Sequence, residues 1–183
     1  IYFVRHAQPD MYVKDDMLRP LTEKGMQDAK RVTKVLKERN IEAIYSSPYK
    51  RAYDTVKDLA LANNLEIKIV EGFRERKVGT WVDDFQAFSQ RQWEDFNFKL
   101  ECGESLKEVQ QRNISALNDV LISNLGSNIV VGTHGTALST IINYYNPDFG
   151  YEGLWSIVDK MPYILCFKFR KTEFIGMEEV ELY

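Results

Sequence analysis

The 183-residue sequence carries 24 Lys and Arg against 27 Asp and Glu, a formal net charge of -3, with 44% apolar and 28% charged residues. That balance describes one soluble globular domain, residues 1–183, and gives no general affinity for nucleic acid or an anionic membrane, so any anion site is a local concentration of charge. No apolar run approaches the roughly 18 residues of a membrane span, and no signal peptide is visible. The two cysteines, Cys102 and Cys166, make neither a metal cluster nor a disulfide framework, and both read as ordinary thiols of a reducing, cytoplasmic compartment.

The chain opens inside a strand without an initiator methionine, so a few residues are expected to precede it. Four apolar, β-favouring residues run into Arg5 and His6 and then into a polar loop over 7–21. A buried strand ends where its side chains stop being apolar, which places Arg5 and His6 at its carboxyl end. Thr22 is a predicted N-cap for an amphipathic helix over 23–39, with Met26, Ala29, Val32 and Leu36 as its apolar stripe. A short strand over 43–45 leads into Ser47 and Pro48, read as N-cap and first residue of a helix over 48–63. Its buried positions are Ala52, Val56, Leu59 and Ala60. A strand over 66–70 follows, and the β-α-β-α-β order predicts an α/β fold: a three-layer α/β/α sandwich on a mainly parallel sheet.

Residues 71–104 hold two of the three tryptophans, Trp81 and Trp93, with five phenylalanines among charged residues and no clear strand, and are expected to form a helical lid over the strand ends. Ser105 to Glu108 matches a capping box that opens a helix to 124, with Leu106, Val109, Leu117 and Leu121 buried. The strand over 128–132 runs into Thr133-His134-Gly135, so the second of two histidines also ends a buried strand. A helix over 135–145 and two strands over 163–169 and 174–182, turning at Lys171-Thr172, complete the chain.

In open α/β sheets, ligands bind outside the carboxyl ends of the strands. A lone histidine at a strand end is as readily a hydrogen-bonded core residue, and Arg5 as readily a structural ion pair. Lys50 and Arg51 fall in the first turn of a helix, where the dipole disfavours positive charge but free backbone N–H groups attract an anion that the two could share. Neither cysteine is followed by an arginine at the spacing of a cysteine-dependent phosphatase, and Gly132-Thr133-His134-Gly135 lacks the lysine of a nucleotide-binding P-loop.

Arg5-His6-Ala7, Leu21 to Gly25, Ser46 to Thr55, Glu75 to Gly79 with Trp81, Gly103-Glu104-Ser105 and Thr133-His134-Gly135 occur in this order. Together they resemble the histidine phosphatase superfamily, in the branch related to cofactor-dependent phosphoglycerate mutase. The resemblance implies that His6 is the nucleophile that becomes phosphorylated, that Arg5 and Arg51 hold the phosphoryl oxygens, and that His134 donates to the same group. It also implies Glu75 as the proton donor, with Glu71 and Glu104 the next carboxylates. Forked arginine donors suit the charge on a transferring phosphoryl group, and nearby cations favour the neutral imidazole that attacks. That chemistry needs no metal or other cofactor.

Gln8, Trp81 and Phe85 join Arg5 and Arg51 as expected substrate contacts. Trp81, Phe85 and Trp93 are expected to form an apolar wall that selects the leaving group. Pro9 and Val82-Asp83 depart from the family pattern at the rim and the lid, so a relative's substrate does not transfer. The favoured function is a phosphomonoester hydrolase acting on a small phosphorylated metabolite. A phosphoglycerate mutase, which must keep water from the phosphohistidine, and a catalytically silent phosphate-binding module are the alternatives.

Overall fold

The computed structural model describes residues 1–182. Its first half runs β1 (Tyr2–Arg5), α1 (Glu23–Leu36), β2 (Ile41–Ser46), α2 (Lys50–Ala62) and β3 (Ile67–Ile69). A 3₁₀ turn (Glu71–Phe73), α3 (Phe85–Glu94) and α4 (Leu106–Ser123) lead to β4 (Asn128–Thr133). Then come α5 (Gly135–Tyr145), α6 (Tyr151–Ser156), β5 (Tyr163–Arg170) and β6 (Glu173–Glu179). The strands form one sheet in the order β3-β2-β4-β1-β5-β6. The first four are parallel, and β5 and β6 add an antiparallel flank.

Successive strand residues face opposite sides of a sheet. Phe3, Val131 and Leu165 therefore join one apolar layer with Leu117 and Leu121 of α4 and Leu138 and Ile141 of α5. Val4, Val130 and Ile164 join the other, with Val32 and Leu36 of α1 and Val56 and Leu59 of α2. Each such side chain, fully buried, contributes about 1.5–3 kcal/mol. The result is the expected three-layer sandwich on a mainly parallel sheet.

This topology has a switch point. β1 and β4 are parallel neighbours, with Arg5 opposite Thr133. The chain leaves β1 for a helix on one face and leaves β4 for α5 on the other. Divergence of two adjacent strands in this way opens a cleft at their carboxyl ends.

Several local expectations shift. The buried side of α1 is Gly25, Asp28, Ala29, Val32 and Leu36, whereas Met26 is 52% exposed, because the period counted back from Leu36 passes one residue before it. α1 also ends at Leu36 rather than 39. α2 begins at Lys50 with Tyr49 as its N-cap, so Ser47 and Pro48 lie outside the helix; the Ser47 hydroxyl accepts from the Tyr49 amide at 3.2 Å and also bonds a histidine described below. β6 stops at Glu179, and α6, six residues with Tyr151, Leu154 and Trp155 at three- and four-residue steps, was not expected. The capping box of α4 forms as predicted, with Ser105 and Glu108 exchanging hydrogen bonds. Residues 71–104 hold one 3₁₀ turn and α3 in otherwise irregular chain.

Candidate active site

Sheet pairing continues one residue past the strands. The His6 amide donates to the Thr133 carbonyl at 3.0 Å and the Ser47 amide to the Gly132 carbonyl at 2.9 Å. Ser47, His134 and His6 are thereby brought side by side at the ends of β2, β4 and β1. The two imidazoles pack edge to face with centroids 5.2 Å apart.

His6 Nδ1 lies 2.8 Å from the Ala7 carbonyl. A carbonyl only accepts, so Nδ1 carries the proton and Nε2 keeps its lone pair. Burial, reinforced by the Arg51 guanidinium, holds the His6 pKa well below the ordinary 6.5. His134 is depressed for the same two reasons, burial first and Arg51 second. Its Nε2 shares a 2.7 Å hydrogen bond with Ser47 Oγ. Both rings are neutral at pH 7, and His6 presents an unprotonated nitrogen.

Arg5 is buried, and its Nη1 donates to the Ile157 carbonyl at 2.5 Å and the Lys160 carbonyl at 3.3 Å. Its Nε finds no acceptor among the described residues. Burial lowers its pKa to about 10, so it stays charged at neutral pH. A Cβ at position 135 would sit 3.3 Å from the Arg5 guanidinium carbon, so the α5 start lies directly against this fork. Arg51, in the first turn of α2, is 4% exposed, and its Nη1 donates to the Asp16 carbonyl at 2.5 Å and pairs with the Asp16 carboxylate at 3.1 Å. Its guanidinium stacks over the Tyr49 ring at 5.0 Å, and Tyr49 in turn packs on His134. Lys50 instead pairs with Asp54 on the surface.

Glu75 reaches this group through α5. Its Oε2 accepts from the Thr136 amide at 3.1 Å, and its Oε1 from the amides of Ala137 at 3.1 Å and Arg76 at 2.7 Å. His134, the N-cap of α5, makes no side-chain capping bond, and Glu75 supplies one from a remote part of the chain. The two other carboxylates take different places. Glu71 is exposed in the 3₁₀ turn. Glu104 accepts from both Nη atoms of Arg74 at 2.5 and 2.7 Å, from Arg112 Nε at 2.9 Å and from the Lys77 amide at 2.9 Å. Burial alone would raise the Glu104 pKa, but these hydrogen bonds outweigh it and hold it at about 2. A carboxylate so held carries no proton to give at neutral pH.

Gln8 is exposed and ties the first loop to α1, its Oε1 accepting from Thr22 Oγ1 at 3.0 Å. Trp81 is 78% exposed, donates from Nε1 to Asp83 and lies under Lys14 at 5.9 Å. Phe85 is 45% exposed and covers the Arg76 guanidinium, which Phe88 covers from α3 as well. Trp93 packs on Phe96. Sequence reasoning passed over Ser47 as a cap, and over Tyr49, Asp16 and Arg76. Ser47 and Tyr49, inside the Ser46 to Thr55 motif, and Arg76, inside the Glu75 to Gly79 motif, carried a signal that could have found them; Asp16 did not. Among the described residues no cluster of three His, Cys, Asp or Glu side chains is placed to hold a metal ion, and no helix is long and apolar enough to cross a membrane.

Two neutral histidines at adjacent strand ends, with buried Arg5 ending β1 and buried Arg51 opening α2, make a cationic group whose donors suit a phosphoryl group. Residues 1–171 match the histidine phosphatase superfamily (branch 1), and the chain belongs to that family. It is 31% identical over 147 residues to phosphoserine phosphatase 1 of Hydrogenobacter thermophilus, covering 73% of this chain and 70% of that one. It is 30% identical over 165 residues to phosphoglycerate mutase-like protein 4 of Arabidopsis thaliana, covering 80% and 71%. The fold superposes on that of a phosphoserine phosphatase from Entamoeba histolytica, solved with 3-phosphoglyceric acid, with a TM-score of 0.78 at 22% identity over 99% of this chain and 97% of that one. The chain is thus an enzyme of this superfamily, with phosphatase and mutase relatives.

Proposed function

We propose that the protein is a phosphomonoester hydrolase that works through a phosphohistidine on His6. The observation that carries this reading is the bond from His6 Nδ1 to the Ala7 carbonyl, which leaves Nε2 as the attacking atom beside Arg5, Arg51 and His134. In this reading Nε2 attacks phosphorus as the ester oxygen departs. The Nε of Arg5 and the donors of Arg51 not spent on Asp16 meet the phosphoryl oxygens, and His134 turns its Nε2 hydrogen bond from Ser47 to one of them. Glu75 gives the leaving oxygen its proton and then accepts one from the water that cleaves the phosphohistidine.

The substrate is a small phosphorylated metabolite bearing an alcohol leaving group. The relatives named for phosphoserine support a substrate that also carries a carboxylate. The residues over 71–104 act as the lid, with Trp81 and Phe85 against the leaving group and Gln8 at the rim. Mutase activity is the second reading, on the strength of the mutase-like relatives.

Single-turnover reaction with phosphoserine labelled at phosphorus tests both. A hydrolase forms acid-labile phosphate on His6 and releases it as inorganic phosphate at the same rate with or without 3-phosphoglycerate present; a mutase passes the label to that acceptor. Label taken up by His6→Ala would overturn the nucleophile assignment.

A further inference from the structure

Arg112, on α4, belongs to none of the motifs that point to the site. All five of its N–H donors are nonetheless engaged. Nε donates to Glu104 Oε1 at 2.9 Å, and Nη1 donates to the carbonyls of Gly72 at 2.9 Å and Arg74 at 2.8 Å. Nη2 donates to the Glu75 carbonyl at 3.1 Å and to Glu104 Oε2 at 3.2 Å. Three of these acceptors are main-chain oxygens of residues 72–75, a stretch with no strand ladder and only one 3₁₀ turn of its own. Such a backbone keeps its place only through the partners its polar groups find. α4 is the opposite, an 18-residue helix closed by a capping box and buried along Leu106, Val109, Leu117 and Leu121. The guanidinium therefore carries the rigidity of α4 to the backbone of Glu75, while the α5 amides hold the carboxylate at its other end.

We propose that Arg112 is a positioning residue for Glu75, setting the aim of the proton donor without touching substrate. This rests on the reading of Glu75 as that donor. No other side chain supplies the same contacts, since lysine keeps the charge but has three donors on one atom and cannot span three carbonyls and a carboxylate. Glu104 completes the device: it closes on the Nε and Nη2 edge of Arg112 and, through Arg74 and the Lys77 amide, grips the chain on both sides of Glu75. A displacement of about 1 Å at a catalytic group from a remote change costs about 10²-fold in rate. That loss falls on the step that uses the proton, not on phosphate binding.

The test compares phosphorylation of His6 by an alkyl phosphate, phosphoserine, with that by p-nitrophenyl phosphate, whose leaving group departs with little help from an acid. Arg112→Lys is expected to slow the alkyl reaction by about 10²-fold and the aryl reaction only a few-fold, with inorganic phosphate inhibition unchanged. In the double variant with Glu75→Gln the alkyl rate should match that of Glu75→Gln alone, because nothing remains to be aimed. Equal losses for the two substrates, or losses that add in the double variant, would overturn the proposal. Should Arg112→Lys not fold, Glu104→Gln is read in the same way: an alkyl-selective loss supports the proposal and an unselective one overturns it. The Glu75→Gln control separates the two readings. Absence of substrate selectivity there removes the proton-donor assignment itself, whereas selectivity there without it in Arg112→Lys removes only the positioning role.

Discussion

Glu104→Gln removes one negative charge from the cluster that ties Arg74, Arg112 and the Lys77 amide together. The carboxyl is held at about 2 against an ordinary 4.5, which sets a ceiling of about 3 kcal/mol on what its ionised form adds to folding at pH 7. Its side chain is 14% exposed and that of Arg74 27%, so solvent screening brings the expected loss to about 1–2 kcal/mol. For a chain of this size that lowers Tm by about 3–6 °C. The pH dependence identifies the cause. A carboxyl whose folded pKa is depressed stabilises the fold above its unfolded value, and that contribution drains away as pH falls through the folded one. The gap between native protein and Glu104→Gln should therefore be full at pH 6–7, begin to close below about 4.5 and vanish near 2. Urea unfolding of both proteins from pH 7 down to 3 measures it. A gap that stays constant across that range, or one below about 0.5 kcal/mol at pH 7, would refute the reasoning.

The protein has two histidines, so its imidazole NMR spectrum is simple. Burial and Arg51 hold both below the ordinary 6.5, so their ring carbon shifts should stay flat from pH 8 to 6; a midpoint near 6.5 for either would count against its neutral, buried state. Because the unfolded chain takes up these protons first, the same groups should make stability fall as pH drops below about 6.5, as urea midpoints at pH 7.5 and 5.5 would show. Trp81→Ala and Phe85→Ala should change the ranking of phosphomonoesters more than inhibition by inorganic phosphate; unchanged ranking would take both residues out of substrate selection. Gly79 holds φ +95, and a Cβ there would lie 2.3 Å from the Glu101 carbonyl. Gly79→Ala should therefore lower stability by more than about 1 kcal/mol in urea unfolding, and a neutral result would show that the segment relaxes freely.

The layered fold and the two strand-end histidines were readable from the sequence, because the features that specify them are local. An apolar run that stops at Arg5-His6, and another that stops at His134, announce buried strands and their carboxyl ends whatever the rest of the chain does. The capping box at Ser105 and the cations in the first turn of α2 are likewise written within a few residues. The sheet order was not, and with it went every bond that depends on which strands lie side by side. Ser47 accepts from the Tyr49 amide ahead of α2, as a cap would, and also bonds His134, because β2 and β4 are neighbours. Glu75 could be named from a motif, yet only packing puts its carboxylate on the amides of Thr136 and Ala137. Glu104, a plausible acid by composition, is locked as an anion by Arg112 two turns along the neighbouring helix and by Arg74 from a segment 30 residues away. Arg112 looks like any charge on an amphipathic helix until α4 is laid beside residues 72–75. Local periodicity decides which side of an element is buried; partners tens of residues away are chosen by how the elements pack, and those partners decide which polar residues do the chemistry.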